Sequence, residues 1–215
     1  MTSLQDHPKI EMLPDIVEGI HVKDALRKLF QDGKNGTPDN ISKAGCLALA
    51  NLSNQLGAAQ GKGHVVWNAW RREFPVENPK IIDLARNCVT FSEEVFTEWK
   101  NFSFFEFGDM ANFENTQFEK GACFNYAKFG DQSNFNDSSA SHIKFEWTQW
   151  GSVSRFCRSS YRSHVSFMGA QFKSAFFEKY DFGGSAFFFG AAWSSAKSSV
   201  SLNWKWKRKL CAKLV

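Results

Sequence analysis

Ala111-Asn112-Phe113-Glu114-Asn115-Thr116-Gln117-Phe118-Glu119-Lys120-Gly121-Ala122-Cys123-Phe124-Asn125-Tyr126-Ala127-Lys128-Phe129 is the stretch whose reading decides the fold. Phenylalanine returns in it after five, six and five residues. The same step runs back through Phe107, Phe102 and Phe96 to Phe91, and forward to Phe135. After a gap at Ala140 it continues through Phe145, Trp150, Phe156, Tyr161, Phe167, Phe172, Phe177, Phe182, Phe188 and Trp193. Sixteen of these twenty positions are Phe. A fixed period over half a chain marks a repeat architecture.

The period excludes a helix. Five or six residues turn an α-helix by about 140° or 240°, so successive rings would face opposite sides. The residues between the rings include many Gly, Ser, Asn and Asp, which are weak helix formers. An extended reading fits. From Ala111 onward, thirteen of the sixteen residues two places before a rung are Ala, Ser or Thr. In a strand, residues two apart share a side, so small residue and ring point inward together. The residue between them points out, and there stand Asn112, Gln117, Lys128, Asn134, Lys144, Gln149, Arg155 and Gln171.

The chain has 215 residues with 23 Phe and 8 Trp, too aromatic for disorder. No run of about 18 apolar residues predicts a transmembrane helix, and the N-terminus lacks the pattern of a secretory signal. Five scattered cysteines (Cys46, Cys88, Cys123, Cys157, Cys211) form no CxxC pair. They predict inert thiols in a reducing cytoplasm rather than disulfides or zinc. The net charge of +4 is uneven: residues 194–215 carry six basic groups and no acid, which leaves −2 on the other 193 residues.

Residues 1–80 read as short helices. One opens at Pro14-Asp15 and carries Ile16, Ile20, Leu26, Leu29 and Phe30 as far as Asp32-Gly33. A second is capped by Asp39 or Asn40 and presents Leu52 and Leu56. A third holds Trp67 and Trp70 on one face.

The units Ala111-Asn112-Phe113, Thr116-Gln117-Phe118 and Ala127-Lys128-Phe129 resemble the pentapeptide-repeat proteins, in their Phe-centred variant. Trp67-Asn68-Ala69-Trp70-Arg71 followed by Pro75 is similar to a segment that often precedes the repeats in bacterial members. The resemblance covers residues 81–193. It implies a mainly β fold: a right-handed, four-sided parallel β-helix of about five coils, roughly 24 Å long at ~4.8 Å per coil. The helical region, residues 1–80, is then the natural cap of one end, and residues 194–215 form a serine-rich linker and a basic tail. The rungs sort into four stacks, headed by Phe91, Phe96, Phe102 and Phe107. Ala140 is the weak rung, filled by Phe118 and Tyr161 leaning in or left as a small cavity. The opening coils, with Glu94, Lys100 and Phe105 in small positions, are expected to be distorted. Nearly all the conspicuous aromatics are expected in the core.

Candidate sites are few. His142 and His164 are expected to stack on the third side, with Gly121 and Ser185 in the equivalent places and no third metal ligand. Asp137, Arg158 and Lys179 form a column in which Asp137 and Arg158 are expected to pair. The sharper reading makes Arg155, Arg158, Arg162 and Lys179 a basic patch for an anionic partner. The tail interleaves Trp204 and Trp206 with Lys205, Lys207, Arg208 and Lys209, which suits a membrane surface or a nucleic acid; a plain C-terminal cap, or a truncated or frame-shifted end with no role, is the favoured reading. No GxSxG, HExxH or P-loop supports an enzyme, and no cofactor is implied.

The expected function is a non-enzymatic scaffold or protein-interaction module in the cytoplasm. The family resemblance also raises regulation of a type II topoisomerase by DNA mimicry. Nine acids against eight bases over residues 101–193 disfavour the acidic surface that mimicry needs. A membrane-peripheral role through the basic tail is the third reading.

Overall fold

The structure is a computed structural model and describes residues 7–77, 86–194 and the backbone of 199–200. The chain forms two compact units, residues 1–90 and 91–215.

In the second unit each rung and its small partner turn inward as the alternation requires. Twelve of the thirteen small residues are buried, Ala191 being half-buried. Four parallel ladders result. On the first side Asn112, Asn134, Arg155, Phe176 and Ser199 pair in turn, so the ladder runs on into the serine-rich segment. The second side pairs Val95, Gln117, Ser139, Ser160 and Asp181. The third pairs Asn101, Cys123, Lys144, Ser166 and Phe187. The fourth pairs Glu106, Lys128, Gln149, Gln171 and Ala192. This is a mainly β, four-sided parallel solenoid of about five coils.

The rungs fall into the four expected stacks. Phe113 lies 4.5 Å from Phe135 and 11° from parallel, and Phe124 lies 5.1 Å from Phe145 at 18°. Rings of neighbouring sides meet edge to face, as Phe113 and Phe124 do at 5.4 Å and 89°. Both geometries suit the ring quadrupole. Buried hydroxyls cost nothing here because they bond local carbonyls: Ser138 Oγ donates to Phe135 O at 2.7 Å, and Thr148 Oγ1 to Phe145 O at 2.7 Å. That explains why Ser and Thr replace Ala at the small positions. At the weak rung, Tyr161 leans in and its hydroxyl meets Ser138 Oγ at 3.0 Å.

The corners after the first and third sides share one geometry. The residue two places after each of those rungs has φ between +49° and +70°, from Glu93 and Phe104 to Lys179 and Gly190. Turns close across them, as where Ala127 N donates to Phe124 O at 3.0 Å. These are turns with a left-handed third position. The expected distortion sits on the fourth side, where Phe105 is buried beside Phe107. There the pairing shifts register, with Lys128 opposite Glu106 but Phe129 opposite Gly108.

The described residues of the first unit form four α-helices, α1 (Pro8–Met12), α2 (Val22–Phe30), α3 (Lys43–Gly57) and α4 (Val65–Glu73). Two sequence expectations are corrected. No helix opens at Pro14: Ile16–Val17 and Ile20–His21 form an antiparallel hairpin, because Glu18 and Gly19 take positive φ, and α2 starts only at Val22. Asp39 and Asn40 do not cap α3, since Asn40–Ile41 pairs with Gly36–Thr37; Ser42 is the cap, accepting from Gly45 N at 3.0 Å. The buried face of α3 is Cys46, Leu49, Ala50 and Ser53, while Leu56 is exposed. Trp67 and Trp70 are buried together in α4, 5.6 Å apart, and Trp70 Nε1 bonds Pro38 O at 2.9 Å.

Candidate functional site

The basic candidates do not converge. Arg158 donates through Nε to Asp137 Oδ1 at 2.7 Å, so the pair expected from the column forms. That hydrogen bond holds the Asp137 carboxyl below its usual value and raises Arg158. Lys179 follows Arg158 at the same corner, whereas Arg155 faces out from the first side. Arg162 lies on the second side, where it borders a depression of about 290 Å³ with Gln117, Ser139, Ala140 and Ser141. Charge from Glu114 also acts on Arg158. Trp204, Lys205, Trp206, Lys207, Arg208 and Lys209 lie outside the described residues. His142 and His164 stack at 5.6 Å and 9°, with Gly121 and Ser185 in line. Among the described residues no group of three or more His, Cys, Asp or Glu is placed to hold a metal.

The third side is different in kind. Seven large apolar residues are exposed among the described residues of this unit, and six of them are aromatic rings on the third face or its corners. Phe104, Tyr126 and Trp147 are 46%, 48% and 51% exposed, and Phe189 is 71% exposed. Trp99 and Phe187 complete the set. The ladder rings are core as expected, and these six, which lie off the ladder, are the exceptions.

Local sequence places them. Phe104, Tyr126, Trp147, Gly169 and Gly190 occupy the left-handed corner two residues after each third-side rung, where the side chain projects outward. Phe104 and Tyr126 stack at 4.9 Å and 5°. Trp147 lies over Gly169, where a Cβ would sit 2.5 Å from its ring. Trp99 likewise lies over Gly121, where a Cβ would meet it at 2.8 Å. Polar groups between the rings satisfy one another: Asn125 Nδ2 donates to Glu146 Oε2 at 3.0 Å, and Glu146 N to Asn125 Oδ1 at 3.1 Å. The Asn125 amide is thereby held from within the face.

The repeated Phe102-Ser103-Phe104, Phe124-Asn125-Tyr126 and Phe145-Glu146-Trp147 is the signal that reveals this column, one aromatic two places beyond each rung. The chain matches no protein-family model, no curated protein and no solved structure. The class its geometry defines is a four-sided parallel β-solenoid with one aromatic face.

Proposed function

We propose that this protein is a non-enzymatic interaction module that reads its partner with the third face. The observation that carries this is the asymmetry of exposure: six outward rings lie on one face, while the outward strand residues of the fourth include Lys128, Gln149 and Gln171. Exposed aromatic clusters of this extent are unusual on monomeric proteins and mark interaction sites, where aromatic residues dominate affinity. The shaft suits the role because its rings are stacked in every coil, so the face is preorganised.

Membership of the pentapeptide-repeat proteins is part of this proposal. The four ladders and the small-residue partners support it. A reducing cytoplasm fits Cys46, Cys88, Cys123 and Cys157, none of which forms a disulfide among the described residues. Among the described residues no helix is long and apolar enough to cross a membrane.

The test is site-specific photo-crosslinking in cells, with a benzophenone amino acid in place of Tyr126 or Trp147, and controls in place of Gln149 and Gln171. Protein adducts at the third-face positions and not at the controls are expected. Equal labelling of both faces, or no adducts, would overturn the reading.

A further inference from the structure

We infer that the third face docks against the third face of a second copy of this chain, with the two solenoids antiparallel. The inference rests on the reading of that face as the interacting one, and names its partner.

The argument begins with spacing. Outward side chains of a parallel solenoid recur once per coil, at about 4.8 Å. A second copy is a partner bound to carry rings at the same spacing, so the two ladders are commensurate along their whole length.

Size order supplies the direction. Along the corner column the residues run Phe104, Tyr126, Trp147, Gly169, Gly190, large at one end and small at the other. At the opposite corner the column begins with Trp99 and ends with Ser185. The two inner columns run the other way, from Asn101 to Phe187 and from Ser103 to Phe189. A two-fold axis lying across the face at the middle coil reverses coil order and keeps each column on itself. It sets Phe104 opposite Gly190 and Trp99 opposite Ser185. It also sets Phe187 opposite Asn101 and Phe189 opposite Ser103. In all four columns the bulkiest end meets a smaller residue. The Gly190 position is open to receive a ring, since a Cβ there would meet nothing nearer than Gly169 at 3.9 Å. A parallel arrangement on an axis along the shaft would set coil against like coil and exchange the columns, crowding Phe104 against Trp99 and Phe187 against Phe189 while leaving Gly190 opposite Ser185.

At the centre Trp147 meets its own copy. The same axis sets Lys144 and Glu146 of the middle coil each opposite its own copy, with the opposite charge two residues along the strand, so the centre carries no net charge and the rings, not ion pairs, supply the contact. Six rings offering on the order of 100 Å² each give roughly 600 Å² of aromatic surface. A stable interface takes about 800 Å² from each partner, which Met168 and the polar rim can complete.

The experiment is light scattering on the full chain, 24.4 kDa per copy, together with crosslinking. A particle of twice that mass is expected at micromolar concentration. Trp147→Glu removes the central ring and adds a further pair of facing carboxylates beside Glu146, and should weaken dimerisation by at least about 30-fold, with circular dichroism unchanged. Gln149→Glu on the fourth face should leave it intact. A benzophenone amino acid replacing Phe104 should label the peptide holding Gly190 in the other copy. A monomer at these concentrations, a dimer indifferent to Trp147→Glu, or labelling of the partner's first coil would each overturn the inference. Third-face adducts to an unrelated protein would sink the dimer and leave the interaction module standing.

Discussion

The hydroxyl of Tyr161 meets Ser138 Oγ at 3.0 Å, reaching back one coil into the space that a ring at position 140 would take. Tyr161 leans that way at the expense of its other neighbour. Its ring lies 6.1 Å from Phe182, against 3.9–5.5 Å in the other stacked rung pairs. The missing ring at Ala140 is thus compensated by one hydroxyl. Tyr161→Phe should cost about 1–2 kcal/mol in urea unfolding, since it removes a buried hydrogen bond and leaves Ser138 bonded only to Phe135 O. Ala140→Phe should also destabilise, because its ring competes with that hydroxyl. The double substitution should recover much of the loss, and a coupling near zero in the cycle would refute the compensation.

The same hydroxyl sets a limit at alkaline pH. Burial pushes Tyr161 up to about 12, and burial likewise raises Tyr180 to about 12. The unfolded chain releases these protons near pH 10, whereas the folded protein keeps them. Stability is therefore intact below pH 10 and falls as pH rises from 10 to 12, by on the order of 2–3 kcal/mol for Tyr161. Unfolding measured across that window should lose part of its slope in Tyr161→Phe. An unchanged slope would show that the hydroxyl titrates freely.

Much of this arrangement was legible in the sequence, for a reason that also explains what was missed. A core rung must be large and its neighbour two places back small, so selection by packing writes the same two-letter pattern in every coil. The four stacks, the weak rung and the disturbed fourth side around Phe105 follow from that pattern. The two hairpins of the first unit leave no such trace. Strands as short as Ile16–Val17 have no period, and Ile20 fits a helical stripe as well as a hairpin. The third face was concealed differently. Phe104, Tyr126 and Trp147 are the same residue types as the rungs, and only the left-handed corner turns them outward.

Left-handed residues also stand three places after the fourth-side rungs Phe107, Phe129 and Trp150, at Met110, Gln132 and Val153, and one substitution there should relieve the cost. Val153 has φ +62°, a conformation that β-branched residues rarely adopt. Its N–H is held by Ser174 Oγ at 2.8 Å, which any residue but proline preserves. Val153→Asn should stabilise the protein by about 1 kcal/mol and raise the melting temperature by a few degrees, because asparagine tolerates the left-handed region. Gly169→Ala should do the reverse. It places a methyl group at φ +66°, within 2.5 Å of the Trp147 ring, at a cost of about 1–2 kcal/mol. A neutral outcome for both would mean that the corners relax freely.

Phe124 and Tyr126 stand two residues apart and should respond oppositely to truncation. Phe124 is fully buried, stacked on Phe102 at 5.0 Å and on Phe145 at 5.1 Å, with Phe113 and Phe118 against its edges. Phe124→Ala should cost about 3–5 kcal/mol, the transfer of the ring plus the cavity it leaves. Tyr126 stacks on Phe104 and is half in solvent. Tyr126→Ala should therefore shift unfolding of the isolated copy by less than about 1 kcal/mol. In concentrated solution the contrast should narrow, because burying Tyr126 between two copies ties it to stability by mass action. Melting temperatures of the wild-type chain and Tyr126→Ala, compared at low and high micromolar concentration, measure both effects. A Tyr126→Ala difference that stays constant with concentration would confine that side chain to local packing.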